Sequence, residues 1–288
     1  MRFFHKVLVM LRYLSKKALV MFKYLSLLTA SFIALLPIVV VLFASLKTSA
    51  EYGASGPLTP PVNWLNFTNY TRAFLEGNML RGFLNTVIVL AVSMTGAILL
   101  GTMTAYVLHR FAFRFRRFIM GAFLFATLIP SVTTQVATFR IINFLGLFNT
   151  RLSAIILYMG TDIISIYIFL QFMESISTSL DESAMLDGAS YLTIYSRIIL
   201  PLLKPAITTV LIIKGVSIYN DFYIPFLYMP RTELHVISTA LFKFKGPYGS
   251  QWEVICAGIM VAIIPTLCLF LALQKNIYNG FTQGSIKA

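Results

Sequence analysis

Apolar residues fall in long runs along this chain, separated by short polar stretches. Six windows are long and apolar enough to cross the roughly 30 Å hydrocarbon core of a bilayer as helices. They are Tyr24–Leu46, Phe83–Leu108, Phe118–Phe139, Leu152–Phe172, Pro205–Tyr228 and Val254–Leu273. Ahead of them, basic residues alternate with Phe3, Phe4, Val7, Leu8, Leu11, Leu14 and Leu19 at close to helical spacing, which predicts an amphipathic helix over residues 1–23 lying on a membrane surface. The segment 173–204 is too polar to span and too patterned for a plain linker. The expected fold is all-α: a polytopic membrane protein with six transmembrane helices over 24–288, preceded by the amphipathic N-terminal helix and ending in a polar tail, 275–288.

Composition agrees, and charge adds direction. The chain is 58% hydrophobic and 11% charged, against roughly 45–50% and 25% for an ordinary soluble domain, so a plain cytosolic enzyme is excluded. Its net charge of +13 would suggest nucleic acid in a soluble protein. Here the basic residues concentrate at Arg2, Lys6, Arg12, Lys16, Lys17 and Lys23, and again at Arg110, Arg114, Arg116 and Arg117. The positive-inside rule then places both termini in the cytoplasm, and no nucleic-acid partner is expected. The run after residue 23 is too long for a signal peptide core and lacks a small-residue cleavage site, so the N-terminus is expected to be retained.

Little suggests a metal or disulfide. Cys256 and Cys268 lie roughly 18 Å apart along one helix, too far to bridge. His5, His109 and His235 are scattered, and no cluster has ligand spacing. Outside the membrane, Lys47–Gly82 reads as a turn-rich stretch and then a short interfacial helix carrying Trp64, Phe67 and Tyr70, and Met229–Glu253 as a polar loop. Asn66 and Asn69 match the glycosylation pattern, which arises by chance at this length.

The 173–204 segment has internal order. Ser179-Leu180-Asp181-Glu182 has the form of a capping box, which predicts a short helix from Ser179. Leu180, Ala184 and Met185 would share a face, and Gly188 interrupts as a left-handed cap or a close backbone contact. A second helix, Tyr191–Leu200, is expected to end at Pro201, and Pro205 suits the first turn of the fifth span. Such a helix–glycine–helix element reads either as a docking surface or as a connector tucked under the bundle.

Glu182, Ala184, Gly188, Ile198, Leu200 and Pro201 stand at the separations of an E-A-A-x3-G-x9-I-x-L-P signature, with Ser183 in place of the first Ala. In this the chain resembles the membrane subunits of bacterial ABC importers. Asp187-Gly188-Ala189, Tyr219-Asn220-Asp221-Phe222 and the ending Asn279–Ala288 are similar to the carbohydrate-uptake branch, especially the shorter permease of the maltose-type pair. Tyr219 replaces that branch's usual tryptophan. The resemblance implies that Ser179–Pro201 forms a cytoplasmic coupling helix docked on a separate ATPase, with Glu182, Ser183, Ala184, Asp187, Gly188, Ile198, Leu200 and Pro201 as coupling residues. It also implies a second homologous permease, an extracytoplasmic sugar-binding protein and a bacterial inner-membrane location. No Walker-type phosphate loop is present, so this chain is expected to be no enzyme and to bind no cofactor, with ATP and Mg held by the partner ATPase.

Ionisable groups at membrane depth are candidates for a pathway. Tyr219, Asn220, Asp221 and Tyr223 offer the carboxamide, carboxylate and aromatic faces that a neutral sugar needs. Asp221 and Asn220 read equally as caps of a helix break. Lys214 either snorkels or pairs with a partner, Asp162 is expected in a structural pair, and Gln135, beside a proline-kinked third span at Pro130, is a weaker pathway candidate. The competing class is an ion-coupled secondary transporter of small polar solutes.

Overall fold

A computed structural model describes the backbone of residues 2–160, 163–246 and 249–285. Among the described residues, three helices are long and apolar enough to cross a bilayer unbroken: α1 (Arg2–Leu46), α4 (Met79–Arg110) and α15 (Trp252–Ser285). In α1, the successive residues Leu19, Val20, Met21 and Phe22 are all exposed and together ring the helix, and a helix apolar on every side needs an apolar solvent. It runs without a break through residues 23 and 24, so no backbone boundary separates the basic segment from the apolar one.

The chain divides into two compact units. The first contains residues 1–76 and 244–261, with α1, α2 (Ser49–Ala54), α3 (Thr68–Glu76), a small hairpin of β1 (Lys245–Gly246) and β2 (Gly249–Ser250), and the start of α15. Asn69 Nδ2 donates to Ser45 O and Lys47 O (2.9 and 2.7 Å), and Asn66 Nδ2 to Leu46 O (3.0 Å). These amides satisfy carbonyls left open where α1 ends. Lys47 is buried, its Nζ donating to Ser55 Oγ and Gly56 O. Thr48 and Glu51 form the reciprocal cap of α2.

The second unit, residues 77–243 and 262–288, is organised on α4. Against it pack α7 (Arg151–Met159), α8 (Ile163–Met173) and α12 (Lys204–Asn220). Among the described residues, two of the expected spans are sharply bent helix pairs. The third is α5 (Arg116–Thr127) and α6 (Ser131–Phe144), which meet at 107°. Pro130, extended at ψ 130°, has no N–H to continue the helix and disfavours helical backbone at Ile129, so a break replaces the expected kink. The fourth is α7 and α8, bent by 42° beyond Gly160; Asp162 lies outside the described residues. The fifth window divides at Asp221 into α12 and α13 (Tyr223–Tyr228).

Between α8 and α12 come α9 (Ser179–Leu186), α10 (Tyr191–Ile194), a π-helical turn at Tyr195–Ile199 and α11 (Leu200–Leu202). The helical path thus continues past Leu200 to Leu202 before turning by 70° into α12. The wide turn, closed by Leu200 N–H to Tyr195 O, sits just before Pro201. A proline ring clashes with the carbonyl four residues back, and a π-turn makes room for it. Pro205 occupies the first turn of α12 as expected. The short helix α14 (Ile237–Ala240) packs on α4 near Gly82.

Candidate functional site

The helix–glycine–helix element is built differently from its expected cap. Thr178, not Ser179, precedes α9, with helical backbone and no side-chain cap bond. Glu182 N–H donates to Thr178 O at 3.1 Å. Because the chain already turns at Ser175–Thr178, Ser179 is inside the helix and the capping box does not form; its hydroxyl instead shares a 2.8 Å bond with Ser177. Gly188 does adopt the left-handed conformation, φ 82°. Ala189 N–H donates to Ala184 O and Gly188 N–H to Met185 O, the paired bonds of a Schellman termination.

Leu180, Ala184 and Met185, expected to share a face, differ in exposure. Asp181 and Ala184 are buried, whereas Leu180 and Met185 are about two-fifths exposed. Asp181 is held by Arg110, the last residue of α4: Arg110 Nε lies 3.0 Å from Asp181 Oδ2, with both side chains under a tenth exposed. The contact is close, but the N–H is not aimed along it. Tyr106 Oη donates to Asp181 Oδ1 at 3.4 Å, and Arg110 Nη2 to Ile176 O and Ser177 O. A cation at the end of one helix and an anion in the first turn of another each suit the local dipole. In the sequence Arg110 belongs to the orientation charges and Asp181 stands within the expected capping box, with nothing to pair them. The available signal was spacing, since Thr102, Tyr106 and Arg110 share one face of α4.

The motif residues therefore separate into two groups. Glu182, Ser183, Asp187 and Gly188 are exposed, with Leu186 beside them 90% exposed. Ala184 faces inward, and Ile198 and Leu200 pack against the hydrophobic core. Pro201 is exposed at the bend. A Cβ built on Gly188 meets nothing within 4 Å, so within this chain only the backbone angle calls for glycine.

At the α12–α13 break, Asp221 Oδ1 accepts from Tyr223 N–H at 2.7 Å and Oδ2 accepts from Tyr158 Oη at 2.8 Å. Tyr219 Oη donates to Ala262 O, and the exposed Asn220 donates to Val216 O in its own helix. Tyr223 is half-exposed, and Gln135 is half-buried in α6. Asp221 thus caps the break. The buried Lys214 turns inward rather than snorkelling, its Nζ donating to Gly160 O at 3.0 Å beside the α7–α8 bend. A cavity near Tyr158 and Tyr219 has about 10 Å³ of room, enough for one water and far too small for a sugar ring.

Long apolar helices with many exposed Leu, Ile and Phe side chains mark an integral membrane protein. The chain belongs to the family of binding-protein-dependent transport system inner membrane components, which matches residues 97–281. Among curated proteins it is similar to the probable starch degradation products transport system permease protein AmyC of Thermoanaerobacterium thermosulfurigenes, 30% identical over 261 residues that cover 89% of this chain and 93% of AmyC. It is also similar to the melibiose/raffinose/stachyose import permease protein MelC of Bacillus subtilis (strain 168), 28% identical over 254 residues, 88% of this chain and 91% of MelC. Its fold matches a chain in the crystal structure of a bacterial ABC transporter involved in the import of the acidic polysaccharide alginate, with a TM-score of 0.80 at 22% identity, covering 91% of this chain and 97% of that one.

Proposed function

We propose that this chain is a permease subunit of a carbohydrate-importing ABC transporter and forms half of the translocation pathway. AmyC and MelC are named for transport of starch degradation products and of melibiose, raffinose and stachyose, which supports a sugar as substrate. Counting α5–α6 and α7–α8 as one crossing each, beside α1, α4, α12 and α15, gives six spans, with both termini and the 173–204 segment on the cytoplasmic side, consistent with the basic residues at Arg2–Lys23 and Arg110–Arg117.

The observation that carries the coupling reading is the exposure of Glu182, Ser183, Asp187 and Gly188 on an element whose inner face is fixed by buried charge. Those residues dock the chain on a separate ATPase. Glu182 stays charged in a polar rim, and Gly188 leaves open space for a partner's backbone or side chain. Ala184, Ile198 and Leu200 shape the element from within, and the exposed Pro201 lies just before its bend. ATP and Mg are held by the ATPase, whose closure rocks the spans between inward- and outward-open cavities. A second permease completes the pathway, an extracytoplasmic sugar-binding protein delivers substrate, and membrane lipid surrounds the spans. Tyr219, Asn220, Asp221, Tyr223 and Gln135 are proposed to border the pathway.

Purification of the complex in mild detergent tests this. A second permease and an ATPase are expected to co-purify, and Gly188→Trp to lose the ATPase while still inserting in the membrane. Gradient-driven flux by a chain that purifies alone would support the secondary-transporter class instead.

A further inference from the structure

We propose that the stripe Thr102–Tyr106–Arg110 on α4 is the lever through which movement of the helix–glycine–helix element reaches the membrane bundle, an inference that rests on the coupling role proposed above. These residues recur every fourth position, so they stack on one face over two turns. Together they grip both arms of the element and its entry. Thr102 Oγ1 shares a buried 2.8 Å hydrogen bond with Tyr195 Oη, beyond the glycine. The Tyr106 ring lies 5.7 Å from the Tyr195 ring, and its hydroxyl reaches Asp181 before the glycine. Arg110 holds Asp181 and the carbonyls of Ile176 and Ser177 at the entry to α9. Entry, first arm and second arm are therefore all fixed to the last turns of one helix.

The covalent routes out of the element are poor transmitters by comparison. Upstream, residues 174–178 form turns rather than a continuous helix. Downstream, the path bends by 70° at Leu203 before α12 begins. In contrast, α4 runs for 32 residues without a break, is tied to the element by these side-chain contacts, and packs directly on α7, α8 and α12. A push on α9 is thus delivered sideways into α4 as a rigid rod. Thr102, Tyr106, Arg110, Asp181 and Tyr195 act through the element and touch no substrate, so they are positioning residues. A static brace would use the same contacts, and the test must separate the two.

The test uses the whole complex purified from its host into nanodiscs, with Cys256→Ser and Cys268→Ser and a single reporter, Leu80→Cys, at the exposed far end of α4. The maleimide labelling rate of the reporter is read with and without Mg-ATP plus orthovanadate, beside phosphate release and ATPase co-purification. In the parent the nucleotide changes that rate by about fivefold, within the range of ordinary coupling energies. Asp181→Asn brings the ratio close to one while the ATPase stays bound and hydrolysing. Tyr195→Phe, which deletes the 2.8 Å bond, and Thr102→Val, which removes that bond and the Thr102 hydroxyl's bond to Ile98 O within α4, keep the fold if Asp181→Asn does not; each reduces the ratio, and combined they reduce it no further. Variants that assemble, lose thermal stability and keep the parent's ratio would overturn the lever and leave a brace. Absence of the ATPase from the parent complex would instead overturn the coupling reading itself.

Discussion

The two ends of α4 are fastened by opposite chemistry. Near its start, Asn85 is saturated by neutral partners and one cation: its amide donates to Glu233 O and His235 O at 2.9 Å each, and its carbonyl accepts from Arg151 Nε at 2.9 Å. Thr86, one residue on, accepts from Ile237 N–H and donates to Gly82 O. Every bond there is short, and most end on backbone that cannot change rotamer. At the other end, a buried carboxylate and guanidinium meet at 3.0 Å with the N–H off line, and a tyrosine bond stretches to 3.4 Å. A saturated amide makes a fixed staple. A close but misaligned charge pair holds strongly at several angles, which suits a joint that must stay attached while it moves.

The sharpest way to break this comparison is Arg110→Ala. It strands the Asp181 carboxylate in a buried site, and loss of one partner of such a pair costs about 3–5 kcal/mol. The thermal midpoint of the detergent-solubilised complex is expected to fall accordingly. A drop of the size seen for an exposed pair, such as Arg72 with Glu76, would show that water already reaches the clasp. At the neutral end, Asn85→Ala leaves two carbonyls and one guanidinium without that partner, for about 2–3 kcal/mol. The distinguishing readout is functional: Asn85→Ala lowers the midpoint while the ATP-driven response of α4 persists.

Next in size is Gly188→Ala. Its left-handed φ of 82° penalises any Cβ by roughly 1–2 kcal/mol, and no clash adds to this because the space is open. Hydrogen exchange at Gly188 and Ala189, whose N–H groups close the Schellman bonds, is expected to accelerate while the rest of the unit keeps its protection. Gly188→Trp adds little further local strain, so any greater loss of ATPase binding than in Gly188→Ala measures the partner's occupancy of that space.

How much of this was legible beforehand differs between the same regions. The apolar windows locate every long helix, and Gly188 and Pro205 are found where their backbone chemistry requires. Pro130 signals a kink but not a 107° turn, because the angle depends on what each half packs against. The capping box at Ser179 fails because Ser175–Thr178 turn first, a tertiary outcome of Arg110 gripping Ile176 and Ser177. The clasp itself joins residues 71 positions apart, and single-sequence patterning carries no information on such pairs. Asp221 shows the reverse, since its reading as a cap was available from an acid beside a helix break, and the structure realises it.

The smallest effect sharpens the neutral end through pH. His235, whose carbonyl accepts from Asn85, has its imidazole pKa lowered from 6.5 by partial burial, with the Pro230 backbone and Glu233 opposing. The folded state therefore holds this proton less well than the unfolded chain. Stability is full above about pH 6.5 and declines as pH falls from there through the depressed folded pKa. Exchange of the amides around Thr232–His235 is expected to speed up modestly between pH 7.5 and 5.5, after correction for intrinsic exchange rates. His235→Gln should flatten that dependence without moving the amides around Arg110 and Asp181. If the variant instead changed protection at the clasp, the two ends of α4 would be energetically one site, and the contrast between staple and joint would fail.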